Sequence, residues 1–172
     1  PTLYGSKLAY DPKDFAPITG LVRANQALLA HPSFGPKTVG ELIELAKKKP
    51  GEVSYATSGI GSAPHVNVAL LESMAGIKLL PVHYRGAAPA LNDVVAGHVQ
   101  LLSVAVASAL QPWRSGLVKM LAIGSQARLP QLPEVPTVAE SGLPGYQAVT
   151  WFGLFTTAGT PREIVGKINA EV

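Results

Sequence analysis

Cysteine is absent from the chain, which removes disulfides, thiolate metal sites and a cysteine nucleophile together. Charge is scarce as well: 15% of residues are charged against 47% hydrophobic. That balance excludes a disordered chain and describes a folded one with a sparsely charged surface. Aromatic residues make up only 6%, and the net charge of +3 is spread along the sequence. Nucleic-acid binding needs clustered cations and stacking platforms, so it is not expected here. Long hydrophobic runs are missing too. The longest apolar stretch, residues 99–110, carries Ser and Gln and falls short of the ~20 residues that span a bilayer. The opening Pro1-Thr2-Leu3-Tyr4-Gly5 lacks the basic start and apolar core of a signal peptide.

What is present is an alternation of strand-like and helix-like segments over 172 residues, enough for one sizeable core with appendages. Residues 1–17 read as an irregular lead-in. Residues 18–24 and 26–31 read as two short strands, and a helix follows from a capping box at Thr38-Val39-Gly40-Glu41 to the stop Pro50-Gly51. Strands are then expected at 53–57, 78–83, 99–104 and 117–123, separated by helices at 62–75, 87–96 and 107–114. This βαβα rhythm implies an α/β fold with a mostly parallel sheet and helices on both faces. Thr137-Val138-Ala139-Glu140 reads as a second capping box before a short helix, residues 146–157 as one long strand, and Thr160-Pro161-Arg162-Glu163 as a third box. The last helix carries an apolar stripe of Ile164, Val165 and Ile168 without a stop signal. Both ends are therefore expected to continue in a longer chain.

The segment richest in chemistry joins the strand at 53–57 to its helix through Thr57-Ser58-Gly59-Ile60-Gly61-Ser62-Ala63-Pro64-His65. Open α/β sheets bind ligands at such strand ends. Glycines admit close approach of the backbone, and the amides of a helix start favour a carboxylate or phosphate. Ser58 and Ser62 add hydroxyls. The same residues also suit a plain tight turn with Ser62 as N-cap. No Gly-Lys-Ser/Thr is present, so this is not a nucleotide P-loop, and the third glycine of the dinucleotide fingerprint is missing. A second junction, Tyr84-Arg85-Gly86-Ala87, places a cation beside a glycine, and in a parallel sheet it opens on the same edge. A third, around Ser103 and Val104, is small and apolar.

Catalysis is not indicated. His31, His65, His83 and His98 show no metal-ligand spacing, Ser58 and Ser62 do not sit in a G-x-S-x-G elbow, and Glu41, Glu44, Glu72, Glu140 and Glu163 fall on predicted helices. No catalytic residue, metal or cofactor is assigned.

Several segments together resemble the substrate-binding receptors of tripartite tricarboxylate transporters, the Bug family. They are Tyr10-Asp11-Pro12-Lys13-Asp14-Phe15-Ala16-Pro17, Val39-Gly40-Glu41-Leu42-Ile43, Tyr55-Ala56-Thr57-Ser58-Gly59-Ile60-Gly61-Ser62, Tyr84-Arg85-Gly86-Ala87-Ala88-Pro89, Leu132-Pro133-Glu134-Val135-Pro136-Thr137 and Trp151-Phe152-Gly153-Leu154. The resemblance spans nearly the whole chain in one order. It implies a periplasmic receptor of the type II, Venus-flytrap class that delivers a small carboxylate to membrane permease subunits. Residues 1–23 would then cross from a first domain, 24–145 would form the second, and 146–172 would return to the first. Carried over by position, the ligand site comprises Ser58, Gly59, Ile60, Gly61, Ser62 and His65, with Arg85, Gly86, Ala87, Ser103 and Val104. Many members have Phe-Asp-Asn where this chain has Ser103-Val104-Ala105, and that Asp can meet a ligand ammonium. Val104 cannot, which favours a dicarboxylate or aromatic acid. An α/β enzyme using Ser58 or Ser62 and a protein-docking domain are the competing readings. The isolated chain is expected to bind weakly, with dimerisation possible through its exposed strands and last helix.

Overall fold

The computed structural model describes residues 8–172, so the opening pentapeptide lies outside the described residues. The elements are β1 (Phe15–Ala30), α1 (Val39–Lys48), β2 (Ser54–Thr57), α2 (Ala63–Ala75), β3 (Leu80–His83), α3 (Ala87–Val95), β4 (Leu101–Ala105), α4 (Val106–Arg114), β5 (Lys119–Ile123), β6 (Val149–Thr157) and α5 (Arg162–Ala170). A 3-10 turn, Pro12–Asp14, precedes β1 and is closed by an Asp11–Asp14 capping box.

Two compact units divide the chain. One comprises Ala24–Thr150, the other Pro1–Arg23 with Trp151–Val172. In the larger unit the strand order is β3-β2-β4-β1-β5. β2 runs parallel to β3 and β4, while β1 lies antiparallel to β4 and β5. The parallel rhythm expected of β2 to β5 is there, with β1 inserted against it.

Alternation along each strand divides the core between two faces, as the period of two requires. Leu28, Ala30, Tyr55, Leu101 and Leu121 join Val39, Leu42 and Ala46 of α1 and Val68 and Leu71 of α2. Their neighbours Ala27, Leu29, Ala56 and Leu102 join Ala90 and Val94 of α3 and Ala109 of α4. Helices thus cover both faces of the sheet.

The two short strands expected at 18–24 and 26–31 are one strand of 16 residues. The polar run Arg23-Ala24-Asn25-Gln26 reads as an interruption, yet a ladder is made by main-chain groups that any side chain permits. The strand expected at 146–157 begins at Val149. At 137–142 the capping box forms in full, with the Glu140 amide donating to Thr137 Oγ1 and the Thr137 amide to a Glu140 carboxylate oxygen. It closes only a run of turns, because Gly142 and Pro144 follow at once. The third box does not form: Thr160 donates its hydroxyl to the Thr157 carbonyl, and Pro161 occupies the N-cap.

In the smaller unit β6 pairs with β1. The Asn169 amide donates to the Ile18 carbonyl at 2.7 Å. Trp151, Phe152, Phe155, Ile164 and Ile168 remain exposed there.

Candidate functional site

Because β2, β3 and β4 are parallel, their C-terminal ends open on one edge, and the register sets Thr57 opposite His83. The loop 58–62 leaves β2 at that edge and enters α2. Gly59 and Gly61 hold φ of 126° and 77°, values that an L side chain resists.

The loop is tied down by its own groups. The buried Thr57 hydroxyl accepts from the Gly59 amide at 3.2 Å and lies 2.7 Å from His83 Nδ1. Ser62 donates its hydroxyl to the Gly59 carbonyl at 2.6 Å. It stands at the N-cap of α2 without capping through its side chain, which corrects the turn-and-cap expectation: the hydroxyl closes the loop instead. The Gly61 amide donates to His65 Nδ1 at 3.0 Å. His65 and His83 meet edge to face with ring centroids 5.2 Å apart. Among the described residues, the amides of Ser58, Ile60, Ala63 and His65 donate to no group of the chain. Two of these donors lie in the loop and two in the first turn of α2, where the helix dipole favours negative charge.

The second junction lies alongside. A Cβ on Gly59 would stand 3.8 Å from the Tyr84 carbonyl oxygen. Arg85 and Ala87 are exposed and Gly86 is half-buried. Arg85 forms no ion pair among the described residues. Tyr84 donates its hydroxyl to Asp93 at 2.6 Å. Burial, reinforced by that carboxylate, pushes the Tyr84 phenol up to about 12. Asp93 is held below the usual carboxylate range, first by Tyr84 and then by His98.

Ser103 and Val104 are buried near the C-terminal end of β4. Ser103 accepts from the Asn67 side-chain amide at 3.2 Å, and Val104 packs with Ala27, Leu29 and Ala56. A separate cleft of 330 Å³ runs along α4 between Asn25, Leu110, Arg114 and Leu132; none of the loop residues lines it.

The arrangement offers donors and a cation for an anion, and neither Ser62 nor His65 is set up for nucleophilic chemistry. The Ser62 proton is directed at a carbonyl and not at a base, and His65 Nδ1 is occupied by a main-chain amide. No cluster of three or more His, Asp or Glu fit to hold a metal occurs among the described residues. Nothing in the sequence around Thr57 or His83 marks them as a pair. Only the register of β2 on β3 brings them together.

A sheet with a reversed strand and helices on both faces is the α/β architecture of periplasmic binding proteins. The whole chain, residues 1–172, matches the model of the tripartite tricarboxylate transporter family receptor, and the chain belongs to that family. It is 39% identical over 161 residues to a UPF0065 protein encoded between tcbD and tcbE in Pseudomonas sp. (strain P51), a match covering 93% of this chain and 48% of that protein. Among solved structures, MatC from Rhodopseudomonas palustris with bound malate superposes with a TM-score of 0.86 at 37% identity, over 95% of this chain and 56% of that one. An R. palustris protein solved with adipate gives 0.86 at 34%, over 94% and 54%. The chain spans about half the length of the curated relatives it matches. No helix among the described residues is long and apolar enough to cross a membrane.

Proposed function

We propose that this chain carries the carboxylate-gripping part of an extracytoplasmic solute receptor that hands a small dicarboxylate or aromatic acid to the permease subunits of a tripartite tricarboxylate-type transporter. The observation that carries the reading is the loop 58–62, with unspent amides at Ser58, Ile60, Ala63 and His65 and no hydrogen bond to a carboxylate. Malate and adipate in the related structures support the same ligand class. In this reading Ser58, Gly59, Ile60, Gly61, Ser62 and His65 surround one carboxylate, and Arg85, Gly86 and Ala87 approach it from the second junction. Ser103 and Val104 shape the floor from inside, and apolar Val104 leaves no partner for a ligand ammonium.

The receptor acts without chemistry on its ligand, in the periplasm, and the full-length protein binds far more tightly than these 172 residues. Exposed Trp151, Phe155 and Ile164 favour self-association of the isolated chain at high concentration. A thermal-shift screen of the full-length protein against malate, adipate, benzoate, aspartate and glutamate tests the proposal, since a ligand of the native state raises the melting point. Shifts with the deaminated acids and none with aspartate or glutamate are expected. Preference for the amino acids would overturn the ligand class, and ester turnover lost on Ser62→Ala would overturn the receptor reading.

A further inference from the structure

One bond in the loop conflicts with anion binding. The Gly61 N–H can only donate, so His65 Nδ1, 3.0 Å away, must be its unprotonated acceptor and the ring proton must sit on Nε2. A neutral His65 thus occupies a main-chain donor of the very loop that would hold the carboxylate. Protonation of Nδ1 breaks that bond. It frees the Gly61 amide and adds a positive charge to the site.

His65 lies in the first turn of α2, where the helix dipole is positive. From β3 it is faced by His83, whose ring is 5.2 Å away, and the following junction carries Arg85. β2 contributes only Tyr55, whose buried phenol is pushed up to about 12, and β4 has no ionisable side chain. The acid of α2 itself, Glu72, is two turns further on and accepts from the Leu79 amide. Neither imidazole is hydrogen bonded to a carboxylate among the described residues. A ligand carboxylate would supply the missing negative charge.

Building on the carboxylate-receptor reading, we propose that ligand binding is coupled to proton uptake by His65, which releases the Gly61 amide to the bound carboxylate. Coupling of this kind is reciprocal: the anion favours the imidazolium and the imidazolium favours the anion. Histidine changes charge within pH 5–8, so affinity rises as pH falls through that range. One linked proton limits the gain to about tenfold per pH unit.

The test is calorimetry of malate binding to the full-length protein at pH 6.0 and pH 8.0, in buffers of different ionisation enthalpy. Tightening by several-fold or more at pH 6.0, with net proton uptake, is expected. In His65→Asn, whose side-chain oxygen still accepts from Gly61 but does not titrate, malate should bind with both effects gone. His83→Asn should keep the pH slope. Equal affinity at both pH values without proton uptake would overturn the coupling and leave the carboxylate reading intact. A slope that survives in His65→Asn and vanishes in His83→Asn would overturn the assignment to His65. Failure of both malate and adipate to bind at either pH would overturn the reading and the coupling together. Should His65→Asn not fold, ¹⁵N spectra of the wild-type imidazole decide: malate added at pH 7 must protonate Nδ1, and an unchanged Nδ1 signal refutes the coupling.

Discussion

The Tyr146 hydroxyl donates to the main-chain carbonyl of Asn67 at 3.0 Å, while the Asn67 side chain donates to Ser103. These bonds fasten the segment before β6 to α2, and α2 to β4, so they fix the helix whose first turn forms the candidate site. Tyr146 is 4% exposed, and burial pushes its phenol up to about 12. Tyr146→Phe keeps the packing and leaves a helical carbonyl with its other partner. Its expected cost is about 1 kcal/mol. Tyr146→Ala also empties a cavity and should cost about 3–5 kcal/mol. Urea melts of the two variants separate the hydrogen bond from the ring.

Gly124 sits where two backbones meet. Its amide donates to the Gln26 carbonyl and its carbonyl accepts from the Ala148 amide, both at 2.7 Å. A Cβ at this position would come within 2.7 Å of the Ala148 Cβ and 2.8 Å of its carbonyl oxygen. Backbone cannot step aside as a long side chain does, so Gly124→Ala should destabilise by about 1–3 kcal/mol. The midpoint of denaturant unfolding should fall accordingly, and a midpoint equal to wild type would show that the contact relaxes.

Asp93 predicts an acid-side effect whose sign is fixed by its environment. Its carboxyl is held below the usual range by the Tyr84 hydroxyl and the His98 ring. A group whose folded value is depressed adds stability above its unfolded pKa, about 3.9, and loses it as pH falls through the folded value. Tyr84→Phe removes the first cause. Its stability deficit should therefore be present at pH 7 and narrow below pH 4. The increment is small because the carboxylate faces solvent. A deficit unchanged between pH 7 and pH 3 would assign the effect to packing of the ring.

Much of this was legible in the order of residues. Alternation in β2 and β4 and the 3.6-residue period of α1 follow from which side chains reach the core, and burial of Val39, Leu42 and Ala46 obeys that period. The glycine-flanked loop was legible because its φ values exclude most other residues. Long-range registers were not. Nothing near His83 in sequence places it against Thr57, 26 residues away, or sets its ring on His65. The direction of the Ser62 hydroxyl depends on the local fold of Gly59, whereas a serine before a helix reads as a cap. The polar residues Arg23, Asn25 and Gln26 hide the continuity of β1, because main-chain groups and not side chains form the ladder.

Gly59 and Gly61 should respond differently to substitution, and the difference tests whether the loop's shape is what binds. Gly61 at φ 77° lies in the left-handed region, which Asn visits at modest cost. Gly59 at φ 126° lies where only glycine is comfortable. A Cβ there meets nothing closer than the Tyr84 carbonyl oxygen at 3.8 Å, so the penalty of Gly59→Ala is conformational and not steric crowding. It should amount to about 1–3 kcal/mol, drawn from the loop and not from the sheet. The chain can relieve the strain by letting 58–62 rearrange, at the expense of the bonds that tie Gly59 to Thr57 and Ser62. Malate affinity of the full-length protein should then fall more than its melting temperature. For Gly61→Asn both changes should be smaller. Equal losses of affinity in the two variants would show that the glycines serve clearance for the ligand, and not the backbone path that aims the Ser58 and Ile60 amides.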